Sequence, residues 1–153
     1  MKISTAAMQG EAFVTSVRVY YEDTDFSGVV YHANYLKFAE RGRSDFLRFA
    51  GIHHSELLAM TPPLAFVVNA MQIEFLAPAK IDDELRVETL LAQVQGARFA
   101  FYQRIMRADT CLWKARVGAA CIDLDGRPRR IPKSAIAALG DYQVVEVPAA
   151  FEV

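Results

Sequence analysis

The residues best suited to chemistry crowd into one stretch, Tyr20-Tyr21-Glu22-Asp23-Thr24-Asp25-Phe26-Ser27-Gly28-Val29-Val30-Tyr31-His32-Ala33-Asn34-Tyr35. It carries carboxylates and an imidazole, and it joins the end of an alternating segment to the start of a helical one. A helix start leaves backbone N–H groups without intrahelical acceptors. Such groups stabilise an anion, or a carbonyl oxygen that becomes anionic in a transition state. A carboxylate beside them can attack that carbonyl or take a proton from water. This is a toolkit for hydrolysing an ester or thioester with neither a serine nucleophile nor a metal. By residue type alone, Asp25 competes with the commoner role of a turn or helix-cap residue, and His32 with that of a first-turn surface residue. Glu22 and Asp23 read as loop charges, and Tyr20, Tyr31 and Tyr35 as core and turn aromatics.

The elements that must position this stretch show in the periodicity. From Phe13, Val17, Val19 and Tyr21 alternate with Arg18 and Tyr20, the pattern of a strand with one buried face. After the acidic turn, Tyr35, Phe38, Ala39, Gly42, Phe46, Phe49 and Ala50 recur at three- and four-residue steps. They predict an amphipathic helix of four or five turns that stops at Gly51. Gly42 costs that helix about 1 kcal/mol against Ala, which predicts a close backbone approach on its packed side. Leu64 to Asp123 reads as four strands, broken at Pro78 to Asp83, Gln95-Gly96, Ala108-Asp109-Thr110 and Asp125-Gly126. Lys133 to Leu139 reads as a short closing helix.

The order is thus strand, long helix, then four strands, with connections short enough for antiparallel pairing. One helix cannot cover both faces of five strands, so an α+β architecture with the sheet curled around the helix is expected. Its far face and edges stay partly open, and homo-oligomerisation is the usual remedy. Residues 1–12 are expected to be a flexible start, 13–140 the domain and 141–153 a tail.

Composition narrows the function classes. The chain has 153 residues, 53% apolar and 23% charged, which allows a core and argues against extended disorder. Lys plus Arg total 17 and Asp plus Glu 18, a net charge of -1, so no surplus of base exists for general nucleic-acid binding. No apolar run approaches the roughly 20 residues that span a bilayer, and the first eight residues do not read as a secretory signal. Cys111 and Cys121 lack the spacing of a disulfide framework or a zinc site. His53-His54 with Glu56 reads as exposed loop, so no metal is expected. A small, soluble, cytoplasmic domain is the expectation.

The run Val17 to Tyr35, V-R-V-Y-Y-E-D-T-D-x-x-G-V-V-Y-H-A-x-Y, closely resembles the hotdog-fold acyl-CoA thioesterases of the 4-hydroxybenzoyl-CoA thioesterase type, in particular the YbgC group associated with the Tol–Pal system. Ala65-Phe66-Val67-Val68, Ala77-Pro78-Ala79, Asp82-Asp83, Pro128-Arg129 and Pro132-Lys133-Ser134 extend the resemblance to about Ala138. It implies a hotdog fold, a five-stranded antiparallel sheet wrapped around one long helix, and hydrolysis of acyl-CoA to a free acid and CoA. It places a catalytic carboxylate at Asp25, as nucleophile or as general base, and the backbone N–H of His32 as oxyanion donor. Tyr21 and the His32 side chain belong to the site by the same resemblance. It further implies at least a homodimer, or a homotetramer, with the substrate between subunits and no metal or redox cofactor. Arg127, Arg129, Arg130 and Lys133 crowd four bases into seven positions. They read either as a solvated loop or as a clamp for the phosphates of CoA or of a carrier protein's phosphopantetheine. The rival readings are an acyl-carrier-protein or envelope-machinery binding partner, and an enoyl-CoA hydratase of the same fold.

Overall fold

The computed structural model describes residues 6–153. Strands β1 (Ala7–Gln9), β2 (Ala12–Arg18), β3 (Leu64–Phe75), β4 (Glu84–Gln95), β5 (Arg98–Arg107) and β6 (Thr110–Asp123) form one antiparallel sheet in the order β1-β2-β4-β5-β6-β3. Helix α1 (Asn34–Phe49) packs against β2, β4 and β5, while the short helices α2 (His54–Leu58) and α3 (Lys133–Gly140) pack against β3 and β4 respectively. This is the expected sheet around a long helix.

Four features depart from the expectation. The sheet has six strands, because Ala7–Gln9 folds back on β2 through Gly10, whose φ of +63° suits glycine. Three residues carry no measurable period, so composition hides this strand. The part of the flexible start that falls on residues 1–5 lies outside the described residues. Second, β3 does not pair with β4. It crosses to the far edge and pairs with β6, so the connection 76–83 passes along one end of the sheet. Third, His54 opens a short helix rather than lying in a loop. Fourth, the tail is packed: the Val144 N–H donates to the Leu91 carbonyl, and Val144 and Phe151 are buried on the convex face. The Arg104 guanidinium lies 4.7 Å from the Phe151 ring centre.

The core forms where the apolar stripe of α1 meets the inward residues of the strands. Phe38, Ala39 and Phe46 pack against Val87, Leu91, Phe101, Ile105, Ala115 and Val117, all buried. Gly42 lets the helix approach closely: a Cβ there would stand 2.8 Å from Val87 Cγ1 and 3.2 Å from Thr89 Oγ1. Buried Gln103 then bonds the helix to the sheet. Its Nε2 donates to the Ala39 carbonyl and to Thr89 Oγ1, each at 2.9 Å, and its Oε1 accepts from Arg43 at 3.0 Å. Both polar atoms of the fully buried Gln103 side chain thereby have partners.

Gly42→Val must push α1 off the sheet and disturb the Gln103 bonds. Urea unfolding should show a loss of about 3 kcal/mol, as expected for overpacking a closed core. An unchanged midpoint would mean that the helix tolerates the displacement.

Candidate active site

The chemistry-bearing stretch leaves β2 at Arg18 and enters α1 at Asn34. Its first turn is a 3₁₀ turn over Tyr21–Asp23, closed by a 2.8 Å bond from the Tyr20 N–H to Asp23 Oδ2. The chain then doubles back: Thr24 bridges Val30, and the Asp25 N–H donates to the Val29 carbonyl at 2.9 Å. Gly28, at φ +86°, closes the tip by donating to the Asp25 carbonyl at 3.0 Å. The Asp23 carbonyl accepts from the Tyr31 N–H at 2.9 Å and from Asn34 Nδ2 at 2.8 Å, which stitches the loop to the start of the helix. The connection 76–83 supports it from below, through Val30 N–H to the Ala79 carbonyl and Ala79 N–H to the Tyr35 hydroxyl. Burial pushes that Tyr35 hydroxyl above its usual range.

Asp25 does not cap the helix. The N-cap position is Ala33, which offers no side-chain acceptor to the first turn. Oδ1 of Asp25 instead accepts from the Ser27 Oγ at 2.6 Å and the Ser27 N–H at 2.8 Å. The Ser27 hydroxyl and then its N–H hold the carboxyl below the usual aspartate value, so it is ionised at neutral pH. Among the described residues, the His32 and Ala33 N–H groups donate to no backbone acceptor. An ionised carboxylate and N–H donors without backbone acceptors thus lie on the one loop that runs into α1.

Tyr21 and Asp25 line one cavity of about 470 Å³ with Thr24, Phe26, Gly28 and Ile81. Phe26 is fully exposed at the tip, and Tyr21 nearly so. His32 is not on that wall; its ring rests 4.6 Å from the Tyr31 ring and 6.4 Å from that of Phe75. Ser27, Asn34 and Ala79 are the residues sequence reasoning missed. A serine or an alanine in a loop gives no signal until its partner is known.

The basic segment lies elsewhere in the protomer. The Asp25 loop meets the sheet where Phe75 pairs with Trp113, and Tyr35 stacks on Trp113. Residues 127–133 follow the opposite end of β6, where Leu64 pairs with Asp123. Trp113 to Asp123 spans about 33 Å of strand at about 3.3 Å per residue. Arg129 is also committed: its Nε donates at 2.9 Å to Oδ2 of buried Asp123, whose Oδ1 accepts the Asp125 and Arg127 N–H groups. Arg130 and Lys133 are both exposed. One chain does not bring these bases to Asp25.

Comparison with known proteins fits this geometry. Residues 19–152 match the thioesterase-like superfamily. The acyl-CoA thioester hydrolase YbgC of Escherichia coli O6:H1 is 45% identical over 132 residues, covering 85% of this chain and 97% of that protein. The acyl-CoA thioesterase YbgC of Haemophilus influenzae is 47% identical over 132 residues, covering 86% and 96%. A crystal structure of a probable thioesterase from Bartonella henselae superposes with a TM-score of 0.76 at 46% identity, covering 79% of this chain and 99% of that one. The fold is therefore the hotdog fold, and the chain belongs to the thioesterase-like superfamily. Within that superfamily it falls in the YbgC group.

The backbone N–H groups of Arg127 and Asp125, with the Arg129 guanidinium, hold Asp123 below the ordinary aspartate value of 3.8. A depressed carboxylate contributes stability above its unfolded pKa and loses it as pH falls through the lower folded value. Asp123→Asn should therefore lower the Tm most at neutral pH, and the gap to the unmodified protein should close in acid below that value. A gap that stays constant from pH 7 to pH 2 would show that ionisation of Asp123 contributes nothing.

Proposed function

We propose that the protein hydrolyses acyl-CoA thioesters to a free acid and coenzyme A, with Asp25 as the reacting carboxylate. The observation that carries this reading is an ionised Asp25 joined, through the Asp23 carbonyl, to a helix start whose N–H groups have no side-chain cap. The thioester carbonyl oxygen accepts the His32 N–H, which stabilises the tetrahedral oxyanion. Asp25 either attacks the carbonyl carbon, expelling the CoA thiolate and leaving an acyl-aspartyl anhydride that water then hydrolyses, or deprotonates the water that attacks. In both routes the C–S bond breaks, the free acid leaves and the thiolate takes up a proton. Tyr21, on the same cavity wall, orients the thioester, and the His32 ring serves the departing thiolate. This chemistry draws on a carboxylate and N–H donors and requires no metal or redox cofactor. Coenzyme A as substrate goes with a cytoplasmic setting.

The reading includes a twofold dimer through β3. Among the described residues, one edge of the sheet is the three-residue β1; the other is β3, twelve residues long, paired on one side only, to β6, and exposing Val67 and Val68. A long open apolar edge favours pairing with a second copy. Antiparallel pairing of two β3 strands sets the Phe75 end of one protomer beside the Leu64 end of its partner. The partner's residues 127–133 then approach the Asp25 loop, where Arg130 and Lys133 can hold the CoA phosphates. A cavity of about 120 Å³ also lies at that end; Leu47, Phe66, Phe99 and Phe101 give it an apolar wall suited to an acyl group, and Glu40, Arg43 and His54 line its other side. Acyl carrier protein carries the same phosphopantetheine arm and is the alternative donor.

Purified protein incubated with acyl-CoAs from short to long, plus a benzoyl type, should release thiol with a chain-length preference. Asp25→Asn should reduce turnover at least a thousandfold while assembly is kept, a scale set by losing the central group of an acyl-transfer site. Full turnover by a folded Asn variant would remove Asp25 from the chemistry.

The shared site makes a second prediction. Arg130→Ala with Lys133→Ala should raise KM for acyl-CoA more than for acyl-pantetheine, and mixing that variant with Asp25→Asn should restore low-KM turnover. Each mixed dimer holds one intact site only if the bases act across the interface. Absence of complementation in a proven mixed dimer would place the phosphates elsewhere.

A further inference from the structure

Asp25 has two carboxylate oxygens, and the structure treats them differently. Oδ1 accepts two donors from one residue, the Ser27 N–H at 2.8 Å and the Ser27 Oγ–H at 2.6 Å. Among the described residues no hydrogen bond reaches Oδ2, while Asp25 lines the 470 Å³ cavity with Tyr21 and Phe26. An aspartate carboxyl turns readily about its last torsion, whose wells are broad and twofold. Two donors converging on one oxygen remove that freedom and make the oxygens inequivalent. We propose that Ser27 is a positioning residue, clamping Oδ1 of Asp25 so that Oδ2 is the oxygen presented to the thioester or to the attacking water.

The loop is built to keep this clamp. Asp25 N–H to the Val29 carbonyl and Gly28 N–H to the Asp25 carbonyl fix the backbone on both sides of Ser27. Gly28, at φ +86°, allows a return too tight for a side-chain-bearing residue. Ser27 itself is exposed and contributes nothing to the core, so its side chain is free of a packing role. A loop-stabilising serine needs only the N–H bond of the turn. The hydroxyl, with the shorter of the two bonds, adds a donor where the charge is. Charge-assisted bonds of that length are the strong ones. The hydroxyl lowers the proton affinity of the carboxyl while leaving the other oxygen open, which keeps Asp25 ionised and aimed at the same time.

This inference rests on the reading of Asp25 as the reacting group, and the test separates the two. Ser27→Ala removes the hydroxyl and keeps the turn's N–H; Ser27→Thr restores a hydroxyl; Ser27→Gly stands in for Ala if that variant fails to fold. The carbon-13 signal of the Asp25 carboxyl, assigned by its absence in Asp25→Asn, is titrated in the unmodified protein and in each variant. Turnover of the fastest acyl-CoA in the panel is followed against pH alongside. Loss of the hydroxyl should move the Asp25 midpoint and the acid limb of kcat/KM upward. It should lower kcat about tenfold, the effect of losing one hydrogen bond to a charged group, with KM little changed. The Thr variant should return all three toward the original. An unmoved midpoint in folded Ala and Gly variants, with an inactive Asn variant, overturns the role of Ser27 alone. Full turnover by Asp25→Asn overturns the reading of Asp25 and with it the assignment of Oδ2.

Discussion

The seat of α1 on the sheet is the constraint from which the site follows. At Gly42 the helix backbone comes close enough that a single Cβ would collide with Val87. Three residues earlier the Ala39 carbonyl is bonded to Gln103 of β5, with no solvent to compete. A bond from a buried side-chain amide to a helix carbonyl fixes translation along the helix axis as well as distance from the sheet. The start of α1 is therefore held at the Phe75–Trp113 end. A shift of one turn would break the Gln103 bonds and leave buried polar atoms unpaired.

That anchor makes the loop before the helix useful. A loop rich in carboxylates is ordinarily a mobile solvated turn. Here the Asp23 carbonyl binds both the Tyr31 N–H and the Asn34 amide, and the connection 76–83 props it from the other side. The Asp25 carboxylate inherits the rigidity of a helix that is itself pinned to a core. The price of this arrangement is a helix start without a side-chain cap, because Ala33 occupies the capping position. Uncapped N–H groups cost stability in a structural helix and are an asset where an oxyanion must be received.

The crossing of β3 to the far edge has the wider consequence. It leaves a long strand half-paired, and it sets the acidic loop and the basic segment at opposite ends of the same strands. In the proposed dimer an antiparallel pairing of two such edges reverses one end against the other. The open edge and the divided site then have one solution. The tail follows the opposite logic: Val144 and Phe151 cover the convex face within the chain, so that face asks for no partner there.

Much of this was legible in one chain of letters because burial imposes a period. The alternation at Phe13 to Tyr21, the helical stripe from Tyr35 to Ala50 and the alternating strands after Leu64 each record which side chains must leave water. Gly42 announced a close approach by violating helix propensity, and the density of acid and imidazole between Glu22 and His32 marked the candidate site. Those are local signals, fixed by neighbours in sequence. Only the tertiary structure decided which strand lies beside which, that Asp25 bonds Ser27 rather than a helix terminus, and that Arg129 serves Asp123. Pairing across β3 and β6 joins residues some fifty positions apart, and a short strand such as Ala7–Gln9 has too few residues to show a period. Hydrophobic spacing records only whether a residue is inside. The partner of a polar group depends on distance and angle, and those exist only once the chain has closed.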